Sequence, residues 1–257
     1  MPDSKDRFSD RVDAYVKARP DYPRRVIELL REKIGLSEGS TVADVGSGTG
    51  ISAELFLLAG CEVFAVEPND PMRQAAEKAL ARHPRFHSVH ASAEATGLRD
   101  GSIDLVVAAQ AFHWFNPQRF RNECLRILKP GGHVLLMWND RLTDCDAFAI
   151  AYEKLLIDFG TDYTSVNHRN ISDERIAHFF QSGFEKILLP NSQKLDWEGT
   201  KGRLMSSSYV PGQGDPRQQP MLETLRRIFD LHQSNGQVEL KYQTQLFLGA
   251  PGRGANP

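Results

Sequence analysis

Three glycines at alternate positions, Gly46, Gly48 and Gly50, follow a short β-branched run that carries an acid at Asp44. An amphipathic segment begins at Ile51. That order reads as strand, tight turn and helix start. Without a Cβ, such glycines let the backbone lie close to a ligand and take up positive φ. The new helix offers its first, unbonded N–H groups to whatever sits above the turn. The chemistry on offer is the holding of a nucleotide-like group, although a plain tight turn would use the same glycines. Glu67 is the second feature. It stands roughly 20 residues on, the distance at which an acid in a doubly wound sheet reaches ribose hydroxyls. A carboxylate accepts two hydrogen bonds from a vicinal diol; the plainer reading is a solvated acid at a strand end.

The spacing says which nucleotide. A dinucleotide fingerprint is G-x-G-x-x-G, and here the third glycine comes one position early, with Ile51 in its place. A phosphate-binding P-loop needs a lysine that this turn lacks. What remains is a ligand without pyrophosphate, whose zwitterionic tail lies against Gly46, Ser47 and Gly48. Further along, His113 and Trp114 follow the apolar run Ile103–Ala109. An imidazole titrates near neutral pH, so His113 is the candidate base or acceptor-orienting group; a hydrogen-bonded wall residue is the alternative. Tyr15, Arg19 and Tyr22 surround a break at Pro20 and Pro23, and the Arg19 guanidinium suits a carboxylate. The plain alternative for Arg19 is a surface charge. Arg203, Ser208 and Tyr209 stand together near a second Pro/Gly-rich stretch, readable as pocket or as loop.

The elements that would position these residues alternate. Strands are predicted at 41–45, 62–66, 86–90, 103–109 and 133–138, with helices at 51–59, 70–82 and 117–128 between them. Asp70-Pro71 and Asn116-Pro117 read as a helix cap followed by proline at the first helical position. The run Ile103–Ala109 is nearly all apolar, as a strand buried on both faces must be. Strands alternating with helices give a parallel sheet with helices on both faces. After Asn139 the rhythm changes: helices at 144–159 and 172–182, a strand at 184–189, helical residues within 196–235, and a last strand at 237–248. The expected division is an N-terminal helical lid at 1–40, a cofactor-binding core at 41–140, the remaining core strands at 141–249 with a helical insert at about 190–236, and a frayed tail at 250–257.

Composition narrows the partners. Of 257 residues, 31 are Lys or Arg and 33 Asp or Glu, a net charge of −2. No basic run of the kind that grips a phosphate backbone is present, so no nucleic acid partner is expected. The polar start lacks a signal-peptide apolar region. No apolar run approaches the ~20 residues of a membrane helix. Cys61, Cys124 and Cys145 are scattered and not at metal spacing, which suits a reducing cytoplasm and gives no metal site.

On five stretches the chain resembles the class I S-adenosylmethionine-dependent methyltransferases: Asp44–Gly50, Val66–Pro68, Ala91–Glu94, Asp104–Gln110 and Arg126–Gly132. One alone is weak; five in order at that family's spacing are specific. Within the family the chain is similar to the type 11 small-molecule enzymes, and more narrowly to trans-aconitate methyltransferases, on Tyr15–Pro23, Gln110–Phe115 and Ser206–Pro211. The resemblance implies a Rossmann-like α/β fold, a seven-stranded mixed sheet with the last strand antiparallel. It implies S-adenosylmethionine held by Tyr15, Arg19, Asp44, Gly46, Ser47, Gly48, Glu67, Pro68, Met72, Ser92, Ala93, Glu94 and Gln110. Where that family often has an acid to meet the adenine amino group, this chain has Ser92, which carries no charge. The acceptor, a small molecule and by the narrower likeness a carboxylic acid, would lie among Tyr22, His113, Trp114, Arg203, Ser208 and Tyr209. Two other functions stay open: a short-chain oxidoreductase using NAD, opposed by Ile51 and by the lack of a Tyr-x-x-x-Lys pair after the fourth strand, and a catalytically silent cofactor-binding partner.

Overall fold

The structure is a computed structural model and describes residues 19–161, 163 and 173–252. Within them, seven strands form one sheet in the order β3-β2-β1-β4-β5-β7-β6. β1 (Thr41–Val45), β2 (Glu62–Val66), β3 (Phe86–Val89), β4 (Ile103–Ala109) and β5 (Leu128–Arg141) pair in parallel. β7 (Val238–Gly249) is antiparallel to both β5 and β6 (Glu185–Leu195). The mixed seven-stranded sheet expected from the sequence is therefore present.

Burial on both faces explains why the central strands read so plainly. Val42, Val63, Leu105, Val107 and Leu135 face one core with Phe56, Leu57 and Leu80. Ala43, Val45, Val106, Ala108 and Leu136 face the other with Phe112, Phe120 and Phe179. Helices α1 (Arg25–Ile34), α2 (Ile51–Leu58) and α3 (Asp70–Leu80) carry apolar side chains into these layers, as does α4 (Pro117–Ile127). A third apolar cluster joins α5 (Ala147–Phe159), α7 (Trp197–Met205) and α8 (Gln218–His232) to the β7 residues Val238, Leu240 and Tyr242. Between them α6 (Asp173–Phe180) packs on α4. None of the helices among the described residues is long and apolar enough to cross a membrane.

Local details differ from the sequence reading. The cap of α3 is Asn69, whose side chain accepts from the Met72 N–H, so Asp70 and Pro71 lie inside the helix. Asn116 caps α4 as expected, accepting from the Arg119 N–H. β5 starts five residues early because Leu128 already pairs with Ile103; the Pro130-Gly131-Gly132 turn is looped out of a continuing ladder, whose register shifts before His133 meets Leu105. β6 runs on through Pro190 to Leu195. Proline is tolerated there because β6 is an edge strand. Helix 144–159 begins at Ala147, under a cap from Asp146. Residues 7–18, expected to be helical, and the tail from residue 253 lie outside the described residues.

Candidate functional site

A cavity of about 270 Å³ opens at the C-terminal ends of β1, β2, β4 and β5, the crevice where open α/β sheets bind ligands. The glycine turn forms its floor. Gly46 and Ser47 donate their N–H groups to the Val66 carbonyl, which ties the turn to the end of β2. Gly46, Gly48 and Gly50 all have positive φ, at 69°, 56° and 89°. Only glycine takes that conformation routinely. Ser47 and Thr49 line the cavity, and their buried hydroxyls have no partner among the described residues. Buried hydroxyls are ordinarily bonded, so these two fit a polar ligand tail.

Glu67 is buried beside them. Its Oε2 accepts the Gly48 N–H at 2.9 Å and its Oε1 accepts the Asn69 N–H at 2.8 Å. A carboxylate has about four lone-pair sites, so two stay available toward the cavity. Burial raises the Glu67 carboxyl above its ordinary value, against those two hydrogen bonds.

Asp44 lies behind the turn, fully buried and not on the cavity wall. Its Oδ2 accepts the Ser52 hydroxyl at 2.7 Å. Burial, with the Glu67 charge adding to it, pushes its carboxyl up to about 7 despite that bond. Below about pH 4 the group is protonated in folded and unfolded chains alike. Between about 4 and 7 only the unfolded chain ionises it, so stability falls as pH rises, by up to about 4 kcal/mol, and then levels off. In thermal melts from pH 5 to 8 without ligand, Asp44→Asn is expected to flatten this fall. Identical pH profiles for the two chains would refute it.

The third wall comes from the loop after β3 and the end of β4. Pro68, Met72, Ser92, Ala93 and Glu94 all face the cavity. Glu94 also accepts the Asn116 N–H at 2.9 Å, and buried Glu123 holds the same loop by accepting from both the N–H and the hydroxyl of Thr96. Gln110 ends β4 with φ +56°, rare for a side-chain-bearing residue. Its Nε2 donates to the Asn139 carbonyl at 3.2 Å. Such strained positions cluster at functional sites; the sequence singles out Gln110 by its place but not by this backbone conformation.

Across the cavity the segment Arg19–Tyr22 closes over β5. Arg19, Pro20 and Tyr22 line the cavity, and Arg19 Nη2 donates to the Ser206 carbonyl at 2.9 Å. Asn139 fastens the segment: its Nδ2 donates to the Asp21 carbonyl at 3.2 Å, and its Oδ1 accepts from Thr244 at 2.6 Å and from Asn191 at 3.1 Å. The far wall holds Trp114, Asp140, Arg141, Tyr163, Arg203, Tyr209 and Tyr242. Arg141 pairs with Glu153 and donates to Tyr163 Oη at 3.3 Å. Burial pushes the Tyr209 phenol up, and the Arg203 guanidinium, helped by Ser207, Arg19 and Arg141, more than reverses it.

The predicted site residues thus converge with a few exceptions. Tyr15 lies outside the described residues. Gly48 meets the site through its N–H bond to Glu67, and Asp44 stands one layer back. Ser208 and His113 are not on the cavity wall. The 3-10 turn Phe112–Trp114 sends Phe112 into the core and Trp114 to the cavity, leaving the His113 ring tilted against Trp114 with centroids 4.7 Å apart. Sequence reasoning missed Thr49, Asn69, Phe115, Asn139, Asp140, Arg141, Tyr163 and Tyr242.

Residues 43–136 match the family model of the methyltransferase domain. Over 134 residues the chain is 37% identical to an uncharacterized methyltransferase of Mycobacterium bovis, a match covering 52% of either protein. The chain thus spans about half the length of the first curated relatives it matches. It is 28% identical over 247 residues, 93% of each protein, to an uncharacterized methyltransferase-like protein of Schizosaccharomyces pombe. A solved structure from Anaeromyxobacter dehalogenans, assigned as a type II methyltransferase, shares the fold with a TM-score of 0.67 at 23% identity, over 91% of this chain and 99% of that one. Residues 43–136 are thus similar to a methyltransferase domain, and the chain shares the seven-stranded fold of that solved structure.

Proposed function

We propose that the chain transfers the methyl group of S-adenosylmethionine to a small-molecule acceptor, a carboxylic acid. The observation that carries the reading is the convergence on one cavity of the glycine turn, the Glu67 carboxylate and the Ser92–Glu94 loop, facing a separate wall rich in arginine and tyrosine. The first group of residues suits the cofactor. Glu67 has two free lone-pair sites for a ribose diol, Met72 and Ala93 offer apolar contact to adenine, and the Ser47 and Thr49 hydroxyls suit the amino-acid tail. When bound, the cofactor supplies an activated methyl on a sulfonium, so the hard chemistry is its own.

The residues of this chain then have three tasks: to hold both molecules in line, to exclude water and to set the local charge. Alignment alone lowers a barrier by ~7–11 kcal/mol. Arg19 to Tyr22 act as cover, held to β5 by Asn139 and to the segment after α7 through Ser206. A carboxylate acceptor needs no base, which accords with a His113 ring that does not reach the cavity wall. The buried free thiols of Cys61 and Cys124 go with a cytoplasmic location.

The test is transfer itself. The full chain, incubated with methyl-labelled S-adenosylmethionine and a polar metabolite extract, is expected to move label into small molecules, and His113→Gln to keep most of the wild-type rate. No label transfer, or a His113→Gln variant slowed a hundredfold across neutral pH, would contradict this reading.

A further inference from the structure

Arg203 is a buried cation whose side chain pairs with no carboxylate among the described residues. Its side chain is only 6% exposed, yet it borders the cavity. Its two side-chain hydrogen bonds go to neutral groups: Nε donates to Tyr242 Oη at 3.2 Å and Nη1 to Ser207 Oγ at 3.1 Å. The acids nearby are committed elsewhere. Glu153 is held by Arg141 and by the Tyr163 hydroxyl, and Asp140 accepts from Gln245 Nε2 at 3.3 Å. The remaining neighbours, Tyr152, Tyr209 and Tyr242, are phenols and not carboxylates. A buried charge left without its partner costs several kcal/mol. A chain that folds around such a cation keeps it for an anion from outside.

The position of Arg203 separates it from the cofactor end. Its partner Tyr242 sits on β7, in register with Arg141 of β5. β7 lies two strands beyond β4, whose end at Gln110 borders the glycine turn. At the usual strand spacing that is about 10 Å. Arg203 offers one positive charge, and its neighbour Arg141 already has Glu153. A carboxylate carries one charge and matches the planar guanidinium fork, whereas a phosphate brings nearly two. A carboxylate oxygen gripped by a guanidinium and flanked by hydroxyl donors has its lone pairs engaged, and is a poor nucleophile.

We propose that Arg203 anchors a carboxylate of the acceptor that is not itself methylated, so that the acceptor is an acid held at one point and methylated at another. The proposal rests on the methyl-transfer reading above. Tyr242 and Ser207 orient the guanidinium, and Tyr209 flanks the same anion. In the transfer step the S–CH3 bond breaks with its electron pair left on sulfur, the new bond forms to an oxygen of a second, ionised carboxylate of the acceptor, which has no proton to lose, and the anchored carboxylate keeps its charge.

The experiment uses the full chain, methyl-tritiated S-adenosylmethionine and a polar metabolite extract of the cells that make the protein, split on an anion exchanger. Label is expected in products formed from the retained, acidic fraction, and those products are expected to be retained again, before and after phosphatase treatment. Arg203→Gln is expected to lower transfer at least tenfold and Arg203→Lys to recover part of it. Both should bind S-adenosylhomocysteine within twofold of wild type by calorimetry, which shows that the variants fold. Labelling from the unretained fraction, a product no longer retained, dependence on a phosphate, or wild-type transfer by Arg203→Gln would each overturn the anchor. A wild-type chain that binds no S-adenosylhomocysteine would defeat the methyl-transfer reading, and the anchor with it.

Discussion

Replacing Gly50 by alanine is expected to cost about 2–5 kcal/mol of stability. Gly50 caps the start of α2 at φ +89°, and a Cβ there would stand 2.7 Å from Leu80 Cδ1 and 3.3 Å from Ala76 Cβ on α3. Two effects add. The left-handed conformation costs a side-chain-bearing residue about 1–2 kcal/mol. The clash meets a fully packed layer, since Leu80 and Ala76 are each 2% exposed, and overpacking costs about 1–3 kcal/mol. For a chain with ~5–15 kcal/mol in hand, that is a large share. Urea unfolding followed by circular dichroism measures it. Gly48→Ala is the comparison: the atom nearest its added Cβ is Met72 Sδ at 3.8 Å, so only the backbone strain applies. A Gly50→Ala chain no less stable than Gly48→Ala would contradict this account of the third glycine. That glycine serves the packing of α2 on α3, whereas the first two serve the cavity floor.

The second large effect is expected at Glu67, on binding. Glu67→Ala removes the acceptor for two backbone N–H groups, those of Gly48 and Asn69, and the proposed partner of the ribose diol. Each unpaired buried group costs about 1–3 kcal/mol. Affinity for S-adenosylhomocysteine should fall about ten- to hundredfold, which is about 1.4–2.8 kcal/mol. Glu67→Gln separates the two roles. Its one carbonyl oxygen can serve a single N–H, so the turn loosens while the side chain keeps its shape. An unchanged affinity in Glu67→Ala would take the carboxylate out of the binding site. The structure sharpens what the sequence says of this residue: the acid holds the turn in shape as well as facing the cavity.

The parts of the fold that were legible share a cause. β1, β2 and β4 match their predicted limits because they are buried on both faces, which forces continuous apolar runs. β5 is longer than its apolar run because Leu128 pairs with β4 at one end and the β7 ladder carries it on to Arg141 at the other, and β6 is longer because β7 pairs along all of it. Long-range pairing of that kind leaves little local pattern. The same ladder carries Asn139, Arg141 and Tyr242 to the cavity, so those residues were invisible to spacing arguments. Gln110 was legible by position but not by its left-handed backbone. His113 was singled out for its chemistry, and a one-residue difference in direction along the 3-10 turn gives the wall to Trp114 instead. Arg203 was legible only as one of a group in an insert. What distinguishes it, a buried charge among neutral partners, exists only once β7 and the segment after α7 meet.

The central claim is that the crevice beside Glu67 is built for a nucleoside with an amino-acid tail and no pyrophosphate. Calorimetric titration of the wild-type chain with S-adenosylhomocysteine, with NAD as competitor, tests it most directly. One site per chain is expected for S-adenosylhomocysteine, with no displacement by NAD. Saturable binding of NAD by a chain that ignores S-adenosylhomocysteine would contradict it.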